Sequence, residues 1–128
     1  MSTAVIPAEP GVRLIRFALN PNHDDYELSS GEPAVIRDEF VVIAWWIKTD
    51  DRGAFHIPIT IPGMSGEDYQ SRYVTVFADG RKVGKITTKE GPQEFMISDL
   101  EAFGEKAEAD ARAWFEERLM LRKAGMAA

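Results

Sequence analysis

The residues best suited to metal chemistry in this chain are two histidines and the carboxylates near them. His23 precedes Asp24 and Asp25, and His56 stands alone further on. Imidazole with carboxylate suits zinc, iron or manganese. His23, Asp25 and His56 follow no characteristic ligand spacing, however. His23 and Asp25 read as a polar loop, and His56 as the solvent side of a strand, so no metal is expected. The chain has no cysteine, which removes disulfides, thiolate metal sites and a cysteine nucleophile.

Other chemistry fares no better. Ser65, in Gly63-Met64-Ser65-Gly66-Glu67, imitates a nucleophile elbow, but G-x-S-x-G requires glycine where Glu67 stands. Gly84-Lys85 resembles the end of a phosphate-binding loop. There Asp79 holds the first glycine position, and Ile86 offers no hydroxyl to magnesium. Asp50-Asp51 and Glu67-Asp68 could pair for acid–base work, yet both lie in loops, and carboxylates need burial to shift their pKa values. No catalytic residue and no cofactor follow from these motifs.

Two binding signals remain. Arg81, Lys82, Lys85 and Lys89 form the local basic cluster, with Tyr73 and Phe77 nearby as stacking partners for a base. The formal net charge of −6 argues against nucleic acid and against anionic lipid. Trp45 and Trp46 are adjacent, so in a strand they face opposite ways, and one of them is free for a pocket or an interface.

These residues must be positioned by a sheet. Phe40-Val41-Val42-Ile43-Ala44-Trp45-Trp46-Ile47 is the longest apolar run. It is far short of the about 20 residues of a membrane helix, and its β-branched and aromatic content reads as a central strand. Strict alternation would put Phe40, Val42, Ala44 and Trp46 on one face, and Val41, Ile43, Trp45 and Ile47 on the other. Upstream, residues 1–11 read as a loose arm and Val12 to Leu19 as the first strand. Ala34 to Arg37 reads either as a strand of its own or as the start of one long bent strand reaching Lys48. Downstream, Thr49 to Gly53 is a hairpin loop. Phe55, Ile57, Ile59 and Ile61 then alternate with His56, Pro58, Thr60 and Pro62, as in a half-buried strand, and Pro58 makes it an edge. Asp79-Gly80 joins the strands Tyr73–Ala78 and Val83–Thr88. Phe95 to Ile97 is either a last short strand or the lead into the helix.

Ser98 and Glu101 match a capping box, and a helix runs from there to about residue 124. Leu100, Phe103, Ala107, Ala111, Trp114 and Phe115 share its apolar face. Gly104 is its weak point, and Gly125 its stop. Arg118, Leu119, Met120 and Leu121 wrap around its end.

The whole is one α+β domain, residues 1–128: a curved antiparallel sheet of about five or six strands against one long C-terminal helix. A single helix covers one sheet face. The other face must curl upon itself or meet a partner. The leading expectation is therefore a small acidic, non-catalytic interaction or regulatory module, homodimeric or bound to a protein with a basic surface, in the manner of small regulatory proteins of bacteria and their viruses. Its interface would use Trp45, Trp46 and the segment Arg118 to Leu121. The alternative is a ligand-binding domain or small enzyme with a pocket between sheet and helix, lined by Phe17, Tyr73 and Trp114 beside a tryptophan. Weak nucleic-acid binding through Arg81–Lys89 comes third. The start of the chain lacks a signal peptide's pattern, which makes the cytoplasm the default location and a membrane role unexpected.

Overall fold

The structure, a computed structural model, describes residues 2–51, 53–63 and 70–125. Ser65, Glu67 and Asp68 lie outside them. Along the chain run β1 (Ser2–Pro7), β2 (Arg13–Leu19), β3 (His23–Asp24), β4 (Glu27–Leu28), β5 (Val35–Asp50), β6 (Gly53–Ile61), β7 (Arg72–Val76), β8 (Lys82–Thr88), β9 (Gly91–Ile97) and α1 (Leu100–Lys123).

The apolar run lies within β5, one continuous strand of 16 residues. Its first half pairs with β2, from Val35 opposite Leu19 to Val41 opposite Arg13. Its second half pairs on the same edge with β1, from Ala44 opposite Pro7 to Thr49 opposite Ser2. The first residues are thus a strand and not a loose arm. Proline and glycine suggested a coil, but Pro7 closes the strand, and Pro10 and Gly11 lie beyond it. β6 takes the other edge of β5. Among the described residues, seven strands join in one antiparallel sheet. Because β1 and β2 lie end to end, the sheet is six lanes wide: β6, β5, β1 with β2, β7, β8, β9. β6 is an edge, as Pro58 required.

A bulge in β5 sets which side chains meet. Val42 opposes Thr60 and Ala44 opposes Ile59, so Ile43 is an extra residue without a partner on β6. An extra residue reverses the alternation beyond it. Phe40 and Val42 therefore share a face with Trp45 and Ile47, not with Ala44 and Trp46. β6 itself alternates without a break, and Thr60 opposes Val42 on the inner face. His56 and Pro58, opposite Ile47 and Trp45, face inward with them. Ile57 and Ile61 fall on the outer side, the inverse of what their apolar character suggests.

The helix lies on the outer face over the first half of β5. Ile15, Phe17, Val74, Val76 and Ala107 form one buried cluster, joined by Val35, Ile97, Leu100 and Phe103. Ala34, Ala111 and Phe115 form a second, beside Trp114, Tyr26 and Leu28. The apolar helix face thus falls where its spacing put it. Glu108 pins the helix to the strand start: its carboxylate accepts from the amides of Ala34 at 2.9 Å and Val35 at 3.2 Å. The N-cap is Asp99, one residue past the expected Ser98, with Oδ1 accepting from the Ala102 amide at 3.1 Å. Gly104 lies inside the continuous helix Leu100–Lys123. It is where the helix approaches the sheet, and an added Cβ would stand 3.0 Å from the Phe17 ring. Gly125, at φ +73°, supplies the left-handed stop.

The opposite, concave face has no helix. Val12, Leu14, Phe40, Val42 and Tyr73 are nonetheless buried there, with Trp45 and Phe77 against them. The curl of the sheet supplies their cover. Residues of β6 and β9, at its two edges, line one shared hollow. No helix among the described residues is long and apolar enough to cross a membrane.

Candidate functional site

The curl leaves a cup that the side chains do not fill. Its volume is about 330 Å³, at the small end of ligand pockets. All six lanes contribute to it. Leu14, Trp45, Tyr73 and Phe77 give it an apolar floor, and Ile6, Ile47, Pro58 and Val83 form its walls. His56, Arg81, Lys85 and Glu94 supply the polar groups. Leu14 and Tyr73 are almost wholly buried, whereas Ile6 remains 44% exposed. The floor therefore belongs to the core, and the walls stand open to an occupant.

Strand register places each polar group. Lys85 lies directly opposite Tyr73 on β7 and Glu94 on β9, so all three face the cup. Arg81 is held differently, in the β7–β8 connection. Phe77 and Arg81 close this loop with an amide-to-carbonyl bond of 2.9 Å, and Gly80 turns the chain at φ +93°. Between that closing pair the loop is the three residues Ala78-Asp79-Gly80, the longer of the two lengths that an Asp-Gly turn offers. Asp79 grips Arg81 twice: Oδ1 accepts from its amide at 3.0 Å, and Oδ2 from Nε at 2.9 Å. The guanidinium lies over the Phe77 ring, 4.5 Å from its centroid. Hydrogen bonding from the Arg81 amide, then from its side chain, holds the Asp79 carboxyl below its usual range.

The pocket expected between sheet and helix divides in two. Phe17 and Trp114 line a separate helix-side hollow of about 160 Å³, too small for most organic ligands. Tyr73 and Trp45 belong to the cup on the other face. The basic cluster divides as well. Lys85 faces the cup, Lys82 sits opposite Ile97 on the helix side, and Lys89 is in the β8–β9 turn. Tyr73 is 3% exposed and Phe77 is covered by Arg81, so neither ring is bare.

The metal candidates stay apart. His23 Nδ1 accepts from the Tyr26 amide at 3.0 Å, and its ring stacks on Tyr26 and meets the edge of Phe115. Asp25 accepts from Arg122 at 2.7 Å. His56 lies at the cup and not on the outward side of its strand, on the same face of β6 as Thr60, which opposes Val42. Among the described residues, no three histidine or carboxylate side chains are grouped to hold a metal ion. At the helix end, Arg118 lies 5.4 Å over Trp114, Leu119 borders Tyr26 and Leu28, Leu121 is half-buried, and Met120 is 69% exposed.

A second bare region lies on the outer face, where the helix does not reach. α1 meets β5 at its start, through Glu108 on Val35 and Glu101 on Arg37. Beyond it Val41, Ile43 and Trp46 are 53%, 45% and 39% exposed, next to Val5 at 63% and Ile61 at 57%. Lys48 lies 4.0 Å over the Trp46 ring. We term this three-stranded end of β1, β5 and β6 the wing.

Sequence reasoning missed Leu14, Ile47, Pro58 and Glu94 as lining residues. The grip of Asp79 on Arg81 was open to inference, since an aspartate two residues before an amide it can bond is a common turn device. Nothing in the sequence marks Ile43 as a bulge. The chain matches no protein-family model, no curated protein and no solved structure.

Proposed function

We propose that this protein is a small-ligand-binding module that holds a mainly apolar molecule in its cup. The observation that carries this reading is the unfilled hollow over a buried floor. Protein interiors pack densely, so a 330 Å³ hollow walled by partly exposed Ile47, Pro58 and Val83 is unusual in a fold that has only to be stable. An apolar floor with a few convergent polar groups is the common form of a small-molecule site. The test uses N-phenyl-1-naphthylamine, an uncharged dye that brightens in apolar surroundings. Saturable, single-site brightening is expected, retained in Trp46→Ser on the wing and abolished in Val83→Trp, which fills the cup. A dye response unaffected by Val83→Trp would sink the reading.

A second reading, self-association, is favoured by the exposed apolar wing. Monomeric proteins seldom leave such a face bare. The occupant we favour is a second copy. A chain of net charge −6 repels its copies across acidic surfaces, and Val5, Val41, Trp46 and Ile61 bring no carboxylate to the contact. Pro58 and Pro62 obstruct strand addition at the β6 edge, which leaves face-to-face sheet packing. Sedimentation equilibrium should give a dimer that Trp46→Ser with Val5→Ser converts to monomer. A monomer at every concentration would dismiss this reading.

A further inference from the structure

We propose that the cup's ligand is an organic anion: a carboxylate on an aliphatic or aromatic body, its head group bound by Arg81. The inference rests on the ligand-binding reading above and adds the chemical class.

It starts from how Arg81 is presented. A surface arginine usually samples many rotamers, and ordering it costs free energy on binding. Here the order is built in. Asp79 takes the backbone amide and Nε, and the plane of the guanidinium rests on Phe77. These contacts engage Nε and the flat face. Among the described residues, the two terminal nitrogens have no hydrogen-bond or ion-pair partner. A planar pair of donors fixed beside an apolar surface fits a carboxylate, which accepts both bonds at once.

Phe77 and Arg81 both line the hollow, together with the Leu14, Trp45 and Tyr73 floor. A molecule meeting both features has an apolar body and one anionic end. The other charges agree. Glu94 is the acid in the lining, and its register partner Lys85 carries the opposing charge. His56 adds an imidazole to the same lining. The cup thus carries an excess of basic groups in a chain whose net charge is −6. Asp79 offsets part of the attraction of Arg81, so the gain from the head group is moderate. About tenfold is expected, at the lower end for hydrogen bonds to charged groups.

The experiment compares octanoate with octan-1-ol as competitors of N-phenyl-1-naphthylamine, at one ionic strength, in the wild type and in Arg81→Gln. Octanoate should bind about tenfold more tightly than octanol to the wild type, and the ratio should fall to near one in Arg81→Gln. Octanol affinity unchanged by the substitution shows that the cup is intact. Equal affinities in the wild type, or a ratio that survives Arg81→Gln, would overturn the anion assignment while the cup reading stood. Failure of dye, octanol and octanoate alike to bind the wild type would overturn both.

Discussion

Trp45 and Trp46 are neighbours in one strand, yet they occupy two different environments. Trp45 borders a hollow with an apolar floor and polar groups at its mouth. Trp46, on the outer face, is 39% exposed beneath Lys48. The same contrast runs between the halves of β5. The first half has the helix on one side and the curled sheet on the other, and Phe40 and Val42 are buried there. The second half has the hollow on one side and no helix on the other. An apolar run of uniform appearance therefore does two jobs: one half is core, and the other is surface for binding. The extent of the helix and the bulge at Ile43 draw that line, not the hydrophobicity of the residues.

The largest effect that would break this comparison is a pair of truncations on β5. Phe40→Ala should cost about 3–5 kcal/mol, because it removes a ring from the buried cluster under Leu14 and Tyr73. Trp46→Ala should cost under about 1 kcal/mol at low protein concentration, despite the larger side chain. Urea unfolding gives both values. A comparable loss at Trp46 would mean that the wing is covered in solution, the condition required by a second copy on that face.

Next in size is Gly104→Ala. Helix propensity alone predicts a gain of about 1 kcal/mol. The new Cβ would stand 3.0 Å from Cε1 of Phe17, whose ring is 4% exposed and packed on Phe103 at 5.7 Å. With the ring unable to yield, overpacking reverses the sign and leaves a net loss of about 1 kcal/mol. A rise in melting temperature would show that Phe17 has room to move.

The sequence was informative about elements and poor on faces. The helix, its apolar stripe, the edge character forced by Pro58 and the α+β class all follow from local patterns: capping residues, spacing and the missing proline amide. The cup does not, because it depends on a single unpaired residue. Without the bulge, Trp46 would join Phe40 and Val42 on the concave side and Trp45 would leave the cup. Any of several residues in the run could have bulged with little change in local preference. β1 escaped for a related reason. Its pairing is made by backbone groups along β5, and Thr3 to Pro7 has no alternation strong enough to announce it. The small β3–β4 hairpin turns through Asp25 and Tyr26, both at positive φ, without the glycine that usually signals such a turn. The stacking of Tyr26 on His23 and its edge contact with Trp114 hold it instead.

The smallest expected effect compares two carboxylates, one in each region. Asp110, on the helix, has its pKa lowered first by the hydrogen bond from Lys106 and then by Arg72. The Arg72 pair spans helix and sheet at 2.7 Å. Asp79, beside the cup, is also lowered, but by Arg81 within its own turn. A carboxylate whose folded pKa lies below its unfolded value contributes stability above the unfolded value, about 3.9, and loses it as pH falls toward the folded one. The contact of Asp110 with Arg72 exists only in the fold, so the part of the shift that Arg72 causes counts in full toward that difference, while Lys106, four residues away on the same helix, is a local partner. Part of the Asp79 shift survives in an unfolded chain, where the same turn still forms transiently. Asp110→Asn should therefore flatten the loss of stability below pH 4, at a cost near neutrality of a fraction of about 1 kcal/mol for so exposed a pair. Asp79→Asn should leave the acid slope closer to that of the wild type. Urea midpoints measured from pH 3 to 7 would separate the two, and equal flattening by both variants would mean that the Asp79 turn depends on the fold as much as the helix clamp does.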